Sequence, residues 1–179
     1  KGCPHADSFA ALKAAVGDRE SQLRTSDIGC YALGALPPHA MVDSVVCMGA
    51  SIGMAKGAAE AGVPGVVATI GDSTFLHSGI PALIDAVQSR TPITVLILDN
   101  GTVAMTGGQA TSVPSDSIEA IVRGIGVEGE HVITLSPTHT KTEENAQLIR
   151  REIEYEGPSV VIARRACVRF AAEGKRRAG

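Results

Sequence analysis

Gly65-Val66-Val67-Ala68-Thr69-Ile70-Gly71-Asp72-Ser73-Thr74 opens the stretch that decides the fold, and Ile93-Thr94-Val95-Leu96-Ile97-Leu98-Asp99-Asn100-Gly101-Thr102 closes it. Each begins as an apolar run of strand length bounded by turn residues, without the polar alternation of a half-exposed strand, so each reads as a strand buried on both faces. Gly79 to Arg90 between them reads as a helix. Strand, helix and strand in that order make a right-handed crossover with parallel strands, and both carboxyl ends then lie on one edge of the sheet. Asp72 and Asn100, 28 positions apart, converge on that edge, where open parallel sheets bind ligands. Carboxylate and carboxamide oxygens suit Mg²⁺, a small hard cation that takes oxygen ligands at about 2.0 to 2.1 Å and shares its shell with phosphate and water. Taken singly, Asp72 could cap a helix and Asn100 could sit in a turn. The pair, with a strand before each member, points instead to a hard metal beside a phosphate-bearing cofactor.

The pattern Gly71-Asp72-Ser73, then Asp99-Asn100, resembles the thiamine diphosphate motif usually written GDG to NN. The likeness is closest to indolepyruvate ferredoxin oxidoreductase, within the 2-oxoacid:ferredoxin oxidoreductases. Stretches similar to that family's large subunit are Cys3-Pro4-His5, Gly29-Cys30-Tyr31-Ala32-Leu33-Gly34, Cys47-Met48-Gly49-Ala50-Ser51-Ile52-Gly53-Met54-Ala55, Gly71 to Gly79 and Asp99 to Gln109, so the likeness runs over nearly the whole chain. Ser73 replaces the second Gly of the general motif and Asp99 its first Asn; both departures match the indolepyruvate subfamily.

The resemblance implies that Asp72, the Asn100 side chain and the Thr102 backbone carbonyl bind Mg²⁺, and that Gly71, Ser73 and Thr74 meet the diphosphate. A helix starting at Ser73 would point free N–H groups and its positive end at the phosphates. Met48 would be the apolar wedge under the cofactor, with Gly49 and Ala50 against the aminopyrimidine ring and Val103, Ala104, Met105 and Thr106 beside them. His77 would be a proton donor or a binder of the substrate carboxylate; as an alternative it is a histidine on a helix face. Cys3, Cys30 and Cys167 match three of the four ligands of a [4Fe-4S] cluster in ferredoxin-coupled relatives, the fourth falling before Lys1. Four thiolates are the usual complement, so the alternative is three reduced thiols packed as small hydrophobes. Cys47 reads as core. His5, His39, His131 and His139 form no metal-ligand spacing, and His5 alone gains weight, from its place beside Cys3.

Thiamine enzymes also need a glutamate on the aminopyrimidine ring, supplied in this family by a separate pyrimidine-binding domain, and no Glu here stands in such a context. The chain is therefore expected to be one thiamine diphosphate-binding domain, residues 1–179, completed by a pyrimidine-binding domain or subunit in an oligomer. The opening Lys1, in place of Met, suggests a processed or excised piece. The implied reaction is oxidative decarboxylation of an aryl-type 2-oxoacid to acyl-coenzyme A with electrons passed to ferredoxin. Alternatives are a split-subunit, non-redox thiamine decarboxylase acting on sulfopyruvate or phosphonopyruvate, and a catalytically silent cofactor-binding scaffold.

Composition sets broader bounds. The chain has 179 residues, 44% hydrophobic, with 20 glycines, enough for one α/β domain with a buried core. No apolar run approaches a membrane span and no signal-peptide pattern opens the chain, so a cytoplasmic location is expected. A net charge of −3 and 3% aromatics give no case for nucleic acid. The basic stretch Arg164-Arg165 to Lys175-Arg176-Arg177 reads as a solvated tail.

The remainder alternates between helix and strand, so the expected fold is an open, mostly parallel sheet with helices on both faces. Helices are expected over 8–16, 51–61, 117–124 and 142–153, with Gly53 and Gly57 permitting close packing and Thr142 capping the last. Strands are expected over 23–28, 42–47, 131–135 and 159–163, and residues 101–114 read as a Gly-rich loop over the cofactor.

Overall fold

The computed structural model describes residues 2–17 and 22–170. Among the described residues there are eight strands: β1 Arg24–Ser26, β2 Ser44–Val45, β3 Val66–Gly71, β4 Ile93–Asp99, β5 Thr102–Val103, β6 Gln109–Ala110, β7 Val132–Leu135 and β8 Ser159–Arg164. Six form one sheet in the order β2-β1-β3-β4-β8-β7, every neighbouring pair parallel. β5 and β6 make a separate antiparallel ribbon.

Both faces of the sheet are covered, which is why its central strands carry no polar alternation. Every residue of β3 and β4 is buried. Successive side chains point to opposite faces, so Val66, Ala68, Ile70, Ile93, Val95 and Ile97 enter one core while Val67, Leu96 and Leu98 enter the other. The first core is closed by the helices α2 (Ala50–Glu60), α4 (Ile80–Gln88) and α5 (Asp116–Ile125), through Ile52, Leu83 and Ile118 among others. The second is closed by α1 (Pro4–Val16) and α6 (Thr142–Ile153), through Phe9, Leu12 and Ile149. Arg150 of α6 donates to the carbonyls of Ala14 and Ala15 at the end of α1, satisfying acceptors that a helix terminus leaves free.

Several elements differ from expectation for local reasons. The second strand shrinks to Ser44–Val45 because it is an edge strand paired only with β1. The stretch after Gly29 is a turn of 3₁₀ helix, Cys30–Ala35, and the 101–114 loop contains the β5–β6 ribbon. Helix α6 starts at Thr142, but that residue is not its cap: the Thr142 hydroxyl donates backwards to the His139 carbonyl at 2.9 Å. Gly53 and Gly57 do not serve close packing, since a Cβ at either would meet open space. Nor are Arg164 and Arg165 a solvated tail, because Arg164 pairs with Asp99 at 2.8 Å and Arg165 with Asp7 at 2.7 Å; Lys175 to Arg177 lie outside the described residues.

The helix after β3 starts well before Gly79, close to the Ser73 start that the resemblance implied. It begins at once, as α3 (Asp72–Thr74), passes through a π turn over Phe75–Gly79 and continues as α4. Pro81 supplies the reason: it has no N–H, and its ring would crowd the carbonyl four residues back, so the helix widens ahead of it. Such π turns collect at functional sites.

Two substitutions test this packing. Ile97→Ala, in the central strand with no exposed surface, should lower unfolding free energy by about 2 to 5 kcal/mol in urea denaturation. Gly53→Ala, inside a helix and facing open space, should instead raise it by about 0.5 to 1 kcal/mol.

Candidate functional site

A cavity of about 610 Å³, counting the open solvent at its mouth, lies at the carboxyl edge of the sheet. Its walls come from the segments after β1, β3 and β4, with Met48 before α2 and His5 on α1. Register explains the convergence of two of these walls. Gly71 pairs with Leu98, so the next residue, Asp72, emerges beside Asp99 and Asn100.

Asp72 is 4% exposed. Its Oδ1 accepts the Ser73 N–H at 2.8 Å, and its Oδ2 accepts those of Asn100 at 3.2 Å and Gly101 at 2.8 Å. Three of about four lone-pair positions are thus used, leaving one on Oδ1. Burial pushes Asp72 up to about 6, and the nearby Asp99 adds to the rise, while the three N–H groups oppose it. Asn100 is fixed from both ends: its Oδ1 accepts the Thr102 N–H at 2.9 Å and its Nδ2 lies 3.0 Å from His5 Nε2. Burial holds His5 down at about 4, so it is neutral near pH 7. Because the amide nitrogen can only donate, His5 Nε2 accepts and the ring proton sits on Nδ1. His5 thereby keeps the Asn100 oxygen turned away from α1.

Oxygen donors on Asp72 and Asn100 fit a hard divalent cation. Among the described residues no lysine or arginine lines the cavity, so the positive charge that a phosphate group requires would come from a metal and from backbone N–H groups. No glutamate lines it either.

Asp99 does not face the cavity with Asn100. Its Oδ1 accepts the Ser115 hydroxyl at 2.7 Å and its Oδ2 the Arg164 Nε at 2.8 Å, while Arg164 also donates to the Ser115 carbonyl at 2.7 Å. This network anchors the far side of the 99–115 segment. Tyr31, part of the Gly29–Gly34 motif, packs against backbone: a Cβ on Gly71 would lie 2.5 Å from its ring and one on Gly29 2.3 Å. Its hydroxyl lies 3.3 Å from both the Ile28 carbonyl and the Thr74 hydroxyl.

Of the residues singled out from sequence, Met48, Gly71, Asp72, Ser73, Thr74, Asn100, Thr102, Val103, Ala104, Met105 and Thr106 line this one cavity. Gly49 and Ala50 lie next to it, at the start of α2. His77 does not reach it, for the π turn leaves that side chain exposed. Cys47 is exposed and so is no part of a core. Burial pushes the Cys30 thiol up, and the Cys167 and Cys3 thiols are near enough to add to the rise, but among the described residues the three sulfurs do not form a group within 4.8 Å of one another. Cys30 lines the cavity, and the Cys167 N–H donates to the Asn100 carbonyl at 3.1 Å. Contrary to the sequence spacing, His131 does fall within 4.8 Å of ligand atoms of Glu128 and Glu130. That group precedes β7, at the opposite edge of the sheet, and the His131 ring is engaged by buried Glu152 at 2.8 Å and stacked on Tyr155 at 3.4 Å.

Residues 27–163 match the family model described as "Thiamine pyrophosphate enzyme, C-terminal TPP binding domain". The chain is 40% identical over 188 residues to the indolepyruvate oxidoreductase subunit IorA of Archaeoglobus fulgidus, and 38% identical over 200 residues to that of Pyrococcus abyssi. In both cases 99% of this chain is covered but only 30% of the relative, so the chain spans under a third of the length of these curated relatives. Among solved structures, it is similar to a 2-oxoglutarate:ferredoxin oxidoreductase from Magnetococcus marinus, with TM-score 0.76 and 20% identity over 97% of this chain and 68% of that one. A thiamine diphosphate-dependent 4-hydroxybenzoylformate decarboxylase from Rhodococcus jostii gives TM-score 0.67 and 19% identity over 92% of this chain and 33% of that one. At those identities the likeness is one of fold.

The raised Asp72 carboxyl has a signature in the metal-free protein. A folded state that holds this proton more tightly than the unfolded chain loses stability as pH rises from about 4 to about 6. Asp72→Asn should flatten that segment of the urea-midpoint profile, by on the order of 2 to 3 kcal/mol between its ends. A slope unchanged by the substitution counts against the assignment.

Proposed function

This chain belongs to the family of C-terminal thiamine pyrophosphate-binding domains of thiamine pyrophosphate enzymes, and from that premise we propose that residues 1–179 form the diphosphate-binding domain of an indolepyruvate-type 2-oxoacid:ferredoxin oxidoreductase. The observation that carries the proposal is the single cavity onto which Asp72, Asn100, Met48 and the 102–106 segment all open. Asp72 Oδ1, the Asn100 Oδ1 and the Thr102 carbonyl would hold Mg²⁺. Ser73 and Thr74, in the first turn of α3, would meet the diphosphate through their hydroxyls and the Thr74 N–H, the Ser73 N–H being held by Asp72, where the helix dipole favours negative charge. Met48 supports the thiamine side, flanked by Gly49 and Ala50, and Val103 to Thr106 form the opposite wall.

Bound thiamine diphosphate supplies an electron sink for decarboxylation of a 2-oxoacid. The chain's own part is anchoring and water exclusion by a mostly apolar lining: Ile28, Tyr31, Met48, Leu98, Val103 and Met105. The glutamate that activates the aminopyrimidine would come from a pyrimidine-binding domain or subunit in an oligomeric assembly. Coenzyme A would accept the acyl group and ferredoxin the electrons. Cys30 lines the cavity, and by the family resemblance Cys3, Cys30 and Cys167 would give three thiolates to a [4Fe-4S] cluster completed by a fourth ligand. Such a cluster would serve the redox reaction, and a non-redox decarboxylase has no use for it.

Assayed with its native partners, the protein should reduce a low-potential acceptor with indolepyruvate only when coenzyme A is present; aldehyde release without acceptor reduction would refute the redox assignment. Asp72→Ala should abolish Mg²⁺-dependent retention of thiamine diphosphate on gel filtration while far-UV circular dichroism stays unchanged.

A further inference from the structure

We infer that Asp27 is a positioning residue of the cofactor site, a buried carboxylate that sets the Met48–Gly49 turn from beneath. The inference rests on reading that turn as the support for the thiamine side of the cofactor.

Helix α2 begins without a cap of its own, because its N-cap is Gly49, which has no side chain to accept a bond from the first turn. Asp27, the residue after β1, supplies the acceptor from another element and is wholly buried. Its Oδ1 accepts the Ser51 N–H and its Oδ2 the Ser51 hydroxyl, both at 2.8 Å. The Ala50 N–H beside it donates instead to the Cys47 carbonyl at 3.2 Å, closing the Cys47–Ala50 turn above the carboxylate. Two residues earlier, the Thr25 hydroxyl donates to the Ser51 carbonyl at 2.8 Å, so the end of β1 grips the start of α2 at two points. The turn is confined from the other side too. Gly49 has φ +87°, and a Cβ there would lie 2.3 Å from the hydroxyl of Ser78 in the π turn; that hydroxyl donates to the Thr74 carbonyl at 3.2 Å.

Asp27 does not line the cavity, although Ile28, Gly29 and Cys30 after it do, and so does Met48. One carboxylate therefore sets the spacing between two walls without touching a ligand. The diphosphate end of the cavity is built on β3 and β4 and makes no hydrogen bond to Asp27, whose acceptors are both taken by Ser51. A loss at Asp27 should accordingly be felt by the thiamine end alone.

Asp27→Asn keeps the volume but replaces one acceptor oxygen with a donor facing other donors. On the native protein freed of cofactor by chelation, calorimetric titration with thiamine diphosphate and, separately, with inorganic pyrophosphate, both in excess Mg²⁺, distinguishes the outcomes. The expected result is affinity for thiamine diphosphate lowered roughly tenfold or more, with pyrophosphate affinity unchanged. Equal losses for both ligands would mean a merely structural carboxylate, and no loss for either would mean an idle one; each overturns the inference. If Asp27→Asn does not fold, Ser51→Ala removes one of the two hydrogen bonds to Asp27 and should give a smaller loss of the same selective kind, its absence again overturning the inference. Wild-type protein that binds pyrophosphate but not thiamine diphosphate would instead refute the underlying cofactor reading.

Discussion

The parallel pairing of β3 with β4 is the constraint from which the site follows. With Gly71 opposite Leu98, the first helical residue after one strand is forced against the backbone that leaves the other, and the Asp72 carboxylate spans the gap by accepting N–H groups from Asn100 and Gly101. A slip of one residue would turn every side chain of the strand to the opposite face. That would exchange Val66, Ala68 and Ile70 for Val67 and Thr69 in the first core, so the packing of two cores enforces the geometry of one carboxylate. Stability and site are specified by the same contacts here.

The electrostatics of the cavity follow from what surrounds that carboxylate. A buried anion is costly unless paired or hydrogen-bonded, and Asp72 has N–H donors but no cationic side chain among its described neighbours in the lining. Asp99, one residue before Asn100, has such a partner in Arg164. The two acids thus divide the work at the edge of the sheet. Asp99 is neutralised by the protein and braces the loop, whereas Asp72 keeps a lone pair and an unmet charge directed into the cavity.

The central crossover was legible in the sequence because burial on both faces removes polar alternation, and continuous apolar runs with glycine at their ends are hard to misread. The Asp72 and Asn100 pair was legible for the same reason, each standing one or two residues after such a run. What escaped were partners supplied across the fold. His5 meets Asn100 across 95 positions, and Asp27 caps a helix that begins 23 residues later; no local spacing signals either. Gly53 and Gly57 misled because helix glycines are read as sites of close approach, while here they face open space. Cys47 misled because an apolar neighbour implies burial, yet the chain is turning outward there toward an exposed Met48. The π turn had a visible cause in Pro81, but its consequence for the preceding four residues could not be read without the backbone.

That turn changes how the helix after β3 should be regarded. An α-helix advances by about 100° per residue, so the extra residue in Phe75–Gly79 rotates everything before it by that amount relative to everything after. The segment Asp72–Thr74 is phased to the sheet edge, and Leu83 and Ala86 are phased to the core. The π turn is a phase converter between the two, letting one continuous helix satisfy two angular demands that a regular α-helix could meet only one at a time.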